Sequence, residues 1–136
     1  MTARLAAATS LLALSAGPRA GVLRPAPASA SFWPTRVCVS EQRLVIENDC
    51  GCNDAILCRV VGARAPALRL DVRRDPHRPR RCDDCFPMVP GRCDLPPLAP
   101  GRWTVELGGA AAFDLDVGDG GALPDGACWT QARSRR

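Results

Sequence analysis

Hydrophobic and polar residues alternate along three stretches of the chain, and each stretch is predicted to be a β-strand. The stretches are residues 67–73, 102–107 and 112–117. In the first of them, Leu68, Leu70 and Val72 share one face, while Arg69, Asp71 and Arg73 share the other. A period of two residues is typical of a strand with one buried face.

Shorter apolar runs predict three weaker strands, at residues 36–40, 43–47 and 55–61. Glycine-, proline- and aspartate-rich turns separate the runs, and helical periodicity is nearly absent after residue 30. Short strands with frequent turns favour an all-β sandwich of six or seven short antiparallel strands. The inward positions predict a core made of Leu44, Ile46, Ile56, Val60, Leu68, Leu70, Val72, Trp103, Val105, Leu107, Phe113, Leu115 and Val117.

The last two strong strands are predicted to form a hairpin through residues 108–110, Gly-Gly-Ala. A three-residue loop keeps both apolar sets on one face, whereas a two-residue turn would break the parity and put apolar side chains in water. This register sets Arg102 opposite Asp116 and Thr104 opposite Asp114, which are pairs that stabilise a sheet modestly.

Residues 1–30 are predicted to be a signal peptide. Arg4 gives a short positive region, and residues 5–16 form an apolar run of twelve. That run is too short for a membrane span, which needs about 20 residues, but its length suits the apolar region of a signal peptide. Ala28-Ser29-Ala30 matches an A-x-A cleavage site.

Cleavage nearer Ala16 or Ala20 is the alternative, and it would leave the segment GVLRPAPASA as a flexible leader. Either cut makes the protein secreted or periplasmic, with no transmembrane segment expected. The remainder, residues 31–136, is long enough for a single domain and too short for two.

All eight cysteines lie downstream of the apolar N-terminus: Cys38, Cys50, Cys52, Cys58, Cys82, Cys85, Cys93 and Cys128. An even number in an exported chain indicates disulfides, each contributing roughly 2–4 kcal/mol. We expect Cys38 to pair with Cys128, and Cys50 and Cys52 to have different partners. The other connectivities stay open.

Two other roles, redox activity and zinc binding, are compatible with the cysteine spacing. The Cys82–Cys85 pair has redox spacing, but the two aspartates between the cysteines disfavour a thiolate. Together with Cys50 and Cys52, the same pair would supply four thiolates for zinc. Thiols in an oxidising compartment pair with each other first, so we expect no cofactor and keep a zinc-binding domain as an alternative.

The formal net charge of +4 is mostly carried by the leader. After residue 30 the chain has 15 arginines and 14 acidic residues, a net charge of +1, and it has no lysine. A nearly neutral domain lacks the basic excess of a nucleic-acid binder. We therefore expect no nucleic-acid partner.

An arginine-rich segment, residues 74–81, is predicted to be an exposed loop because Pro76 and Pro79 disfavour regular structure. Guanidinium groups bind lipid headgroups or acidic polysaccharides well. The same segment also matches a dibasic protease site, and a solvated loop is the plainest interpretation. The candidate binding residues are Arg73, Arg74, His77, Arg78, Arg80 and Arg81.

No catalytic set emerges from the sequence. His77 is the single histidine, and the serines after residue 30 lie near the ends, at Ser31, Ser40 and Ser134. Asp114, Asp116 and Asp119 faintly suggest a calcium loop, but their spacing does not match an EF-hand. We therefore expect a non-enzyme with no metal site.

Residues 95–105, with the sequence LPPLAPGRWTV, resemble the L-P-P-G-x-Y-x-V strand entry of immunoglobulin-like and prealbumin-like β-sandwiches. The resemblance implies a proline-glycine turn that begins a late strand, with an aromatic residue packed into the corner. Trp103 replaces the usual tyrosine, so the hydroxyl-to-backbone bond of a tyrosine corner cannot form. The whole chain also resembles uncharacterised small cysteine-rich secreted proteins of GC-rich bacteria, a likeness that implies no activity.

The sequence thus favours a disulfide-stapled binding or structural module of unknown ligand, which presents loops to a protein or an anionic surface. One alternative is a secreted inhibitor or toxin-like effector that presents the arginine-rich loop. The other is the thiolate zinc-binding domain. The sequence does not determine the oligomeric state.

Overall fold

The computed structural model describes residues 20–51, 54–75 and 86–132, and this part of the chain is almost entirely strand and loop. A short 3-10 turn, Asp119–Gly121, is its only helical element. No helix in the described ranges could cross a bilayer. The strands are β1 Ala20–Leu23, β2 Arg36–Ser40, β3 Arg43–Glu47, β4 Ala55–Arg64, β5 Ala67–Asp75, β6 Gly91–Cys93, β7 Gly101–Leu107, β8 Ala110–Val117 and β9 Cys128–Gln131.

The strands form two sheets, with the order β1-β9-β2-β3-β6 in the first and β4-β5-β7-β8 in the second. The predicted all-β fold stapled by disulfides is therefore confirmed. The described residues contain nine strands instead of six or seven. The additional strands β1, β6 and β9 have only three or four residues, which is too short for an alternating pattern to be visible.

Two strand pairs are parallel, although the sequence analysis expected antiparallel neighbours throughout. β1 runs parallel to β9, and β5 runs parallel to β7. The chain leaves the second sheet after β5, adds β6 to the first sheet and then returns as β7. Such a crossover allows β7 to lie beside β5 in the same direction.

The core lies between the sheets and contains the inward residues of the predicted strands. Eleven of the thirteen predicted core residues are buried, while Val60 and Val72 are partly buried and pack against the others. The sequence pattern missed residues from short strands and connecting segments: Leu23, Trp33, Val37, Val39, Met88, Leu98 and Leu123.

The β7–β8 hairpin has the predicted register but a different turn. Gly108 and Gly109 form a two-residue turn with φ values of +57° and +84°, and Leu107 pairs with Ala110. The parity is restored by an irregularity between Val105 and Glu106, where the partner strand contains one extra residue, Ala112. Such a bulge keeps Phe113, Leu115 and Val117 on the core face.

The expected cross-strand pairs in this hairpin are present. Arg102 lies opposite Asp116, and its Nε donates to Oδ1 at 3.2 Å. Thr104 lies opposite Asp114, and its hydroxyl donates to Oδ1 at 3.3 Å. The apolar pattern of the two strands therefore fixed the register correctly.

Trp103 at the start of β7 makes a backbone hydrogen bond that the sequence analysis did not anticipate. Its indole Nε1 donates to the Ala99 carbonyl at 2.9 Å, and its ring is buried. A tyrosine corner uses a hydroxyl to bond the backbone a few residues upstream. Here an indole N–H makes the comparable bond.

Disulfides join distant parts of the described chain. The expected pair Cys38–Cys128 is confirmed; it links directly opposed residues of β2 and β9, whose Cα atoms lie 4.1 Å apart. A second disulfide, Cys58–Cys93, connects β4 of one sheet to β6 of the other. Cys50 is also disulfide-bonded. Cys52, Cys82 and Cys85 lie outside the described residues.

The turn between β7 and β8 gives a test of backbone conformation. A Cβ atom at Gly108 or Gly109 would meet no atom within 4 Å, so only the positive φ restricts these positions. We expect Gly108→Asn to stabilise the protein by about 0.4–1 kcal/mol. Asparagine tolerates the positive φ of this turn, and it lowers the conformational entropy of the unfolded chain relative to glycine. Gly109→Val should destabilise it by about 1–2 kcal/mol. Urea denaturation measures both, and equal effects would contradict this account of the turn.

Candidate functional site

The candidate binding residues fall into two groups. Arg73 and Arg74 belong to β5, which continues to Asp75 because its pairing with β4 extends to the Ala55–Asp75 pair. The predicted loop therefore does not begin at Arg74. His77, Arg78, Arg80 and Arg81 lie outside the described residues.

Arg74 binds a buried carboxylate. Asp54, just before β4, is 6% exposed and is the buried charged residue of the described core. The Arg74 Nε donates to Asp54 Oδ2, and Arg74 Nη2 donates to the Gly51 carbonyl at 3.4 Å. A buried carboxylate needs a cation and hydrogen bonds to compensate for lost hydration, and Arg74 supplies both.

Backbone hydrogen bonds connect the same residues to the point where the described chain resumes. The Gly51 N–H donates to the Phe86 carbonyl at 2.7 Å, and the Asp54 N–H donates to the Gly51 carbonyl at 3.0 Å. The Val89 N–H donates to the Asp54 carbonyl at 3.0 Å. We call Gly51, Asp54, Arg74 and Phe86 the stem, because they hold together the two chain ends that flank residues 76–85.

The stem is packed closely on its inner side. A Cβ atom at Gly51 would collide with the side chain of Met88, which is buried. Next to Gly51, the Cys50 N–H donates to Asn48 Oδ1 at 3.0 Å, and Cys50 itself is disulfide-bonded. Covalent, ionic and backbone contacts therefore meet at one corner of the sandwich.

The outer face of the second sheet carries charges that pair within a strand, across neighbouring strands and with Arg24. Arg73 donates to Asp71 through Nη2 at 2.6 Å, and Arg59 donates to the same carboxylate at 3.0 Å. The further pairs on this face are Arg69–Glu106, Arg102–Asp116 and Arg24–Asp114. Arg73 is thus already engaged by a carboxylate, and this face offers an anionic ligand little unpaired positive charge.

The Asp71 carboxyl responds to these neighbours. The hydrogen bond from Arg73 is the main cause that lowers its pKa, and a further hydrogen bond from Arg59 and the charges of both arginines act in the same direction. The same contact raises the pKa of Arg73. The ionised pair is therefore the stable form near neutral pH.

Two of the three aspartates in the faint calcium pattern are engaged by neighbouring side chains. Asp114 accepts from Thr104 and Arg24, Asp116 accepts from Arg102, and Asp119 lies in the exposed 3-10 turn. No group of three or more potential metal ligands converges within the described ranges. The zinc alternative required a thiolate at Cys50, but that sulfur is in a disulfide.

Asp54 was not predicted to be a functional residue. It lies twenty positions from Arg74 in the chain, and a single aspartate before an apolar strand is too common to indicate a buried ion pair. The exposed apolar side chains near β4, Leu57, Val61 and Val89, were also not predicted. The sequence of β4 has apolar residues on both faces, and this pattern was the available signal for exposed apolar side chains.

The fold and its stem define the protein as a small disulfide-stapled β-sandwich with a braced corner. The chain matches no protein-family model, no curated protein and no solved structure. Its function is therefore inferred from its own residues.

Replacing the buried carboxylate tests the stem. Asp54→Asn keeps the shape but removes the charge that binds Arg74, so we expect a loss of about 1.5–3 kcal/mol in the free energy of unfolding. The control is Asp116→Asn, which breaks an exposed pair with Arg102 and should cost about 0–1 kcal/mol. Urea denaturation of both variants gives the comparison, and a larger effect at Asp116 would contradict the role of the stem.

The lowered pKa of Asp71 predicts a pH dependence. A carboxyl group with a depressed folded pKa contributes stability above its unfolded pKa of about 4, and that stability is lost as the pH falls through the folded pKa. We expect Asp71→Asn to be less stable than the natural protein at pH 6 and equally stable at strongly acidic pH. Denaturation midpoints measured from pH 2 to 7 test this. A stability difference that is independent of pH would contradict it.

Proposed function

We propose that this protein is a non-enzymatic, secreted or periplasmic binding module that holds its arginine-rich segment against an anionic surface. The observation that carries the proposal is the stem, which joins the two chain ends flanking residues 76–85. Fixing both ends of a segment lowers the conformational entropy that the segment loses on binding. A scaffold of this kind needs no catalytic group.

The compartment is part of the proposal. The described cysteines are in disulfides, and disulfides persist in oxidising compartments outside the cytosol. The apolar N-terminal sequence also supports export, because it has the features of a signal peptide. The lone histidine and the terminal placement of the serines support a non-enzymatic role.

The distribution of charge favours the arginine-rich segment as the contact surface. In the described ranges, most arginines form ion pairs with carboxylates, whereas Arg64 and Arg92 form none. The sequence places Arg78, Arg80 and Arg81 within four positions of one another. Clustered guanidinium groups bind phosphate, sulfate and carboxylate groups through paired hydrogen bonds.

An immunoglobulin-like relationship is also a proposal. The indole-to-backbone bond of Trp103 supports it, because it stands at the start of a late strand, where the L-P-P-G-x-Y-x-V entry has its tyrosine. The parallel pairing of β5 with β7 is a departure, since immunoglobulin sheets are antiparallel. A prealbumin-like sandwich is the other form of the same proposal.

A secreted inhibitor is the second candidate, and the stem favours it as well. An inhibitor must present a cleavable sequence on a segment whose two ends stay together, and Arg80-Arg81 is such a sequence for a trypsin-like protease. Inhibition of trypsin by the intact protein, together with slow cleavage, would favour this candidate over binding to an anionic surface.

Binding to vesicles tests the leading proposal. The natural protein should bind vesicles of anionic phospholipid and should not bind vesicles of neutral phospholipid. Arg80→Gln with Arg81→Gln should weaken binding about 30-fold, because each arginine near an anionic surface contributes about 1 kcal/mol.

The matched control for this experiment is Arg64→Gln with Arg92→Gln, which removes the same charge from arginines without an ion pair in the described ranges. It should change binding much less. Equal losses in the two double variants would mean that only net charge matters, and the proposed contact surface would be wrong.

A further inference from the structure

The strand β1 lies inside the segment that the sequence analysis assigned to the leader. It pairs in parallel with β9 along its whole length, from Ala20 opposite Cys128 to Leu23 opposite Gln131. Leu23 is 2% exposed and belongs to the core, whereas the neighbouring Val22 is 63% exposed. The segment has the inward and outward alternation of a structural strand, not the flexibility expected of it as a leader.

Gly21 packs directly against the aromatic pair of Trp129 and Phe113. A Cβ atom at this position would collide with the indole ring of Trp129. That ring stacks on Phe113 of the opposite sheet with 4.3 Å between the ring centroids. The absence of a side chain at Gly21 therefore gives the Trp129 ring its space.

Arg24, directly after β1, contacts the edge of the second sheet. Its N–H donates to the Ala112 carbonyl of β8 at 2.8 Å, and its guanidinium pairs with Asp114 at 3.3 Å. Its own carbonyl accepts from the indole Nε1 of Trp33 at 3.1 Å. Arg24 thus satisfies the Ala112 carbonyl on the free edge of β8.

The A-x-A sequence at Ala28-Ser29-Ala30 lies beyond these contacts. The Ala30 N–H donates to the Pro27 carbonyl at 3.0 Å, and Ala30 packs against the core. Cleavage after Ala30 would discard the buried Leu23, the glycine that packs against Trp129 and the hydrogen bond from Arg24 to β8. A discarded leader needs none of these features.

We infer that the leader is cut before β1, so that β1 and Arg24 remain in the mature protein and β1 is its first strand. Ala13-Leu14-Ser15 is an upstream triplet with small residues at both positions of an A-x-A-like site. Signal peptidase would hydrolyse the Ser15–Ala16 peptide bond with one water molecule. The products are a leader ending in the Ser15 carboxylate and a mature chain that begins with the Ala16 amino group.

The test is N-terminal sequencing and intact mass of the protein that a bacterial host exports from the full 136-residue precursor. We expect a chain that begins at Ala16, and any start from Ala16 to Ala20 upholds the inference. A start at Ser31, any other start after Ala20, or an unprocessed chain would overturn it.

A matched pair of variants gives a second measurement on the same exported protein. Leu23→Ala removes a buried side chain and should lower the urea midpoint, whereas Val22→Ala changes an exposed one and should leave it nearly unchanged. If residues 20–24 were absent from the mature protein, the two variants would have identical midpoints. That result would overturn the inference even if the N-terminus were blocked to sequencing.

Discussion

The structure depends on covalent links between strands that are too short to hold one another by packing alone. Cys38–Cys128 ties β9 to β2, and Cys58–Cys93 ties the edge strands of the two sheets. Three of the nine described strands have four residues or fewer, and a small domain buries a limited fraction of its surface. Disulfides compensate for this limited burial, because they lower the conformational entropy of the unfolded chain.

Charge in this protein is used in two different ways. On the outer face of the second sheet, exposed pairs such as Arg102–Asp116 add little stability because water screens their charges. At the stem, the pair Arg74–Asp54 is partly removed from water, so it is costly to break and fixes the chain ends that it joins. The proposed binding role follows from the second use, because a braced corner is a scaffold for a charged segment.

The sequence predicted the features that depend on neighbouring residues and missed those that depend on residues far apart in the chain. β2 and β3 were predicted to the residue, and β5, β7 and β8 within two residues at each end, because apolar runs and a period of two are local properties. The β7–β8 turn was missed because a bulge and a shorter turn together give the same register as a longer loop. The parallel pairs and the Arg74–Asp54 contact arise from tertiary packing, which no local spacing reveals.

The parallel pairing of β1 with β9 also has a practical consequence. These strands are the first and the last of the described chain, and they lie side by side along four residue pairs. Because the two strands are parallel, Ala20 and Gln131 lie at opposite ends of the pair, so a linker that joins them must run back along the strands and be longer than a hairpin turn. With such a linker, new chain ends could be opened at an exposed turn such as Gly108-Gly109. The sandwich is accordingly a suitable starting point for circular permutation.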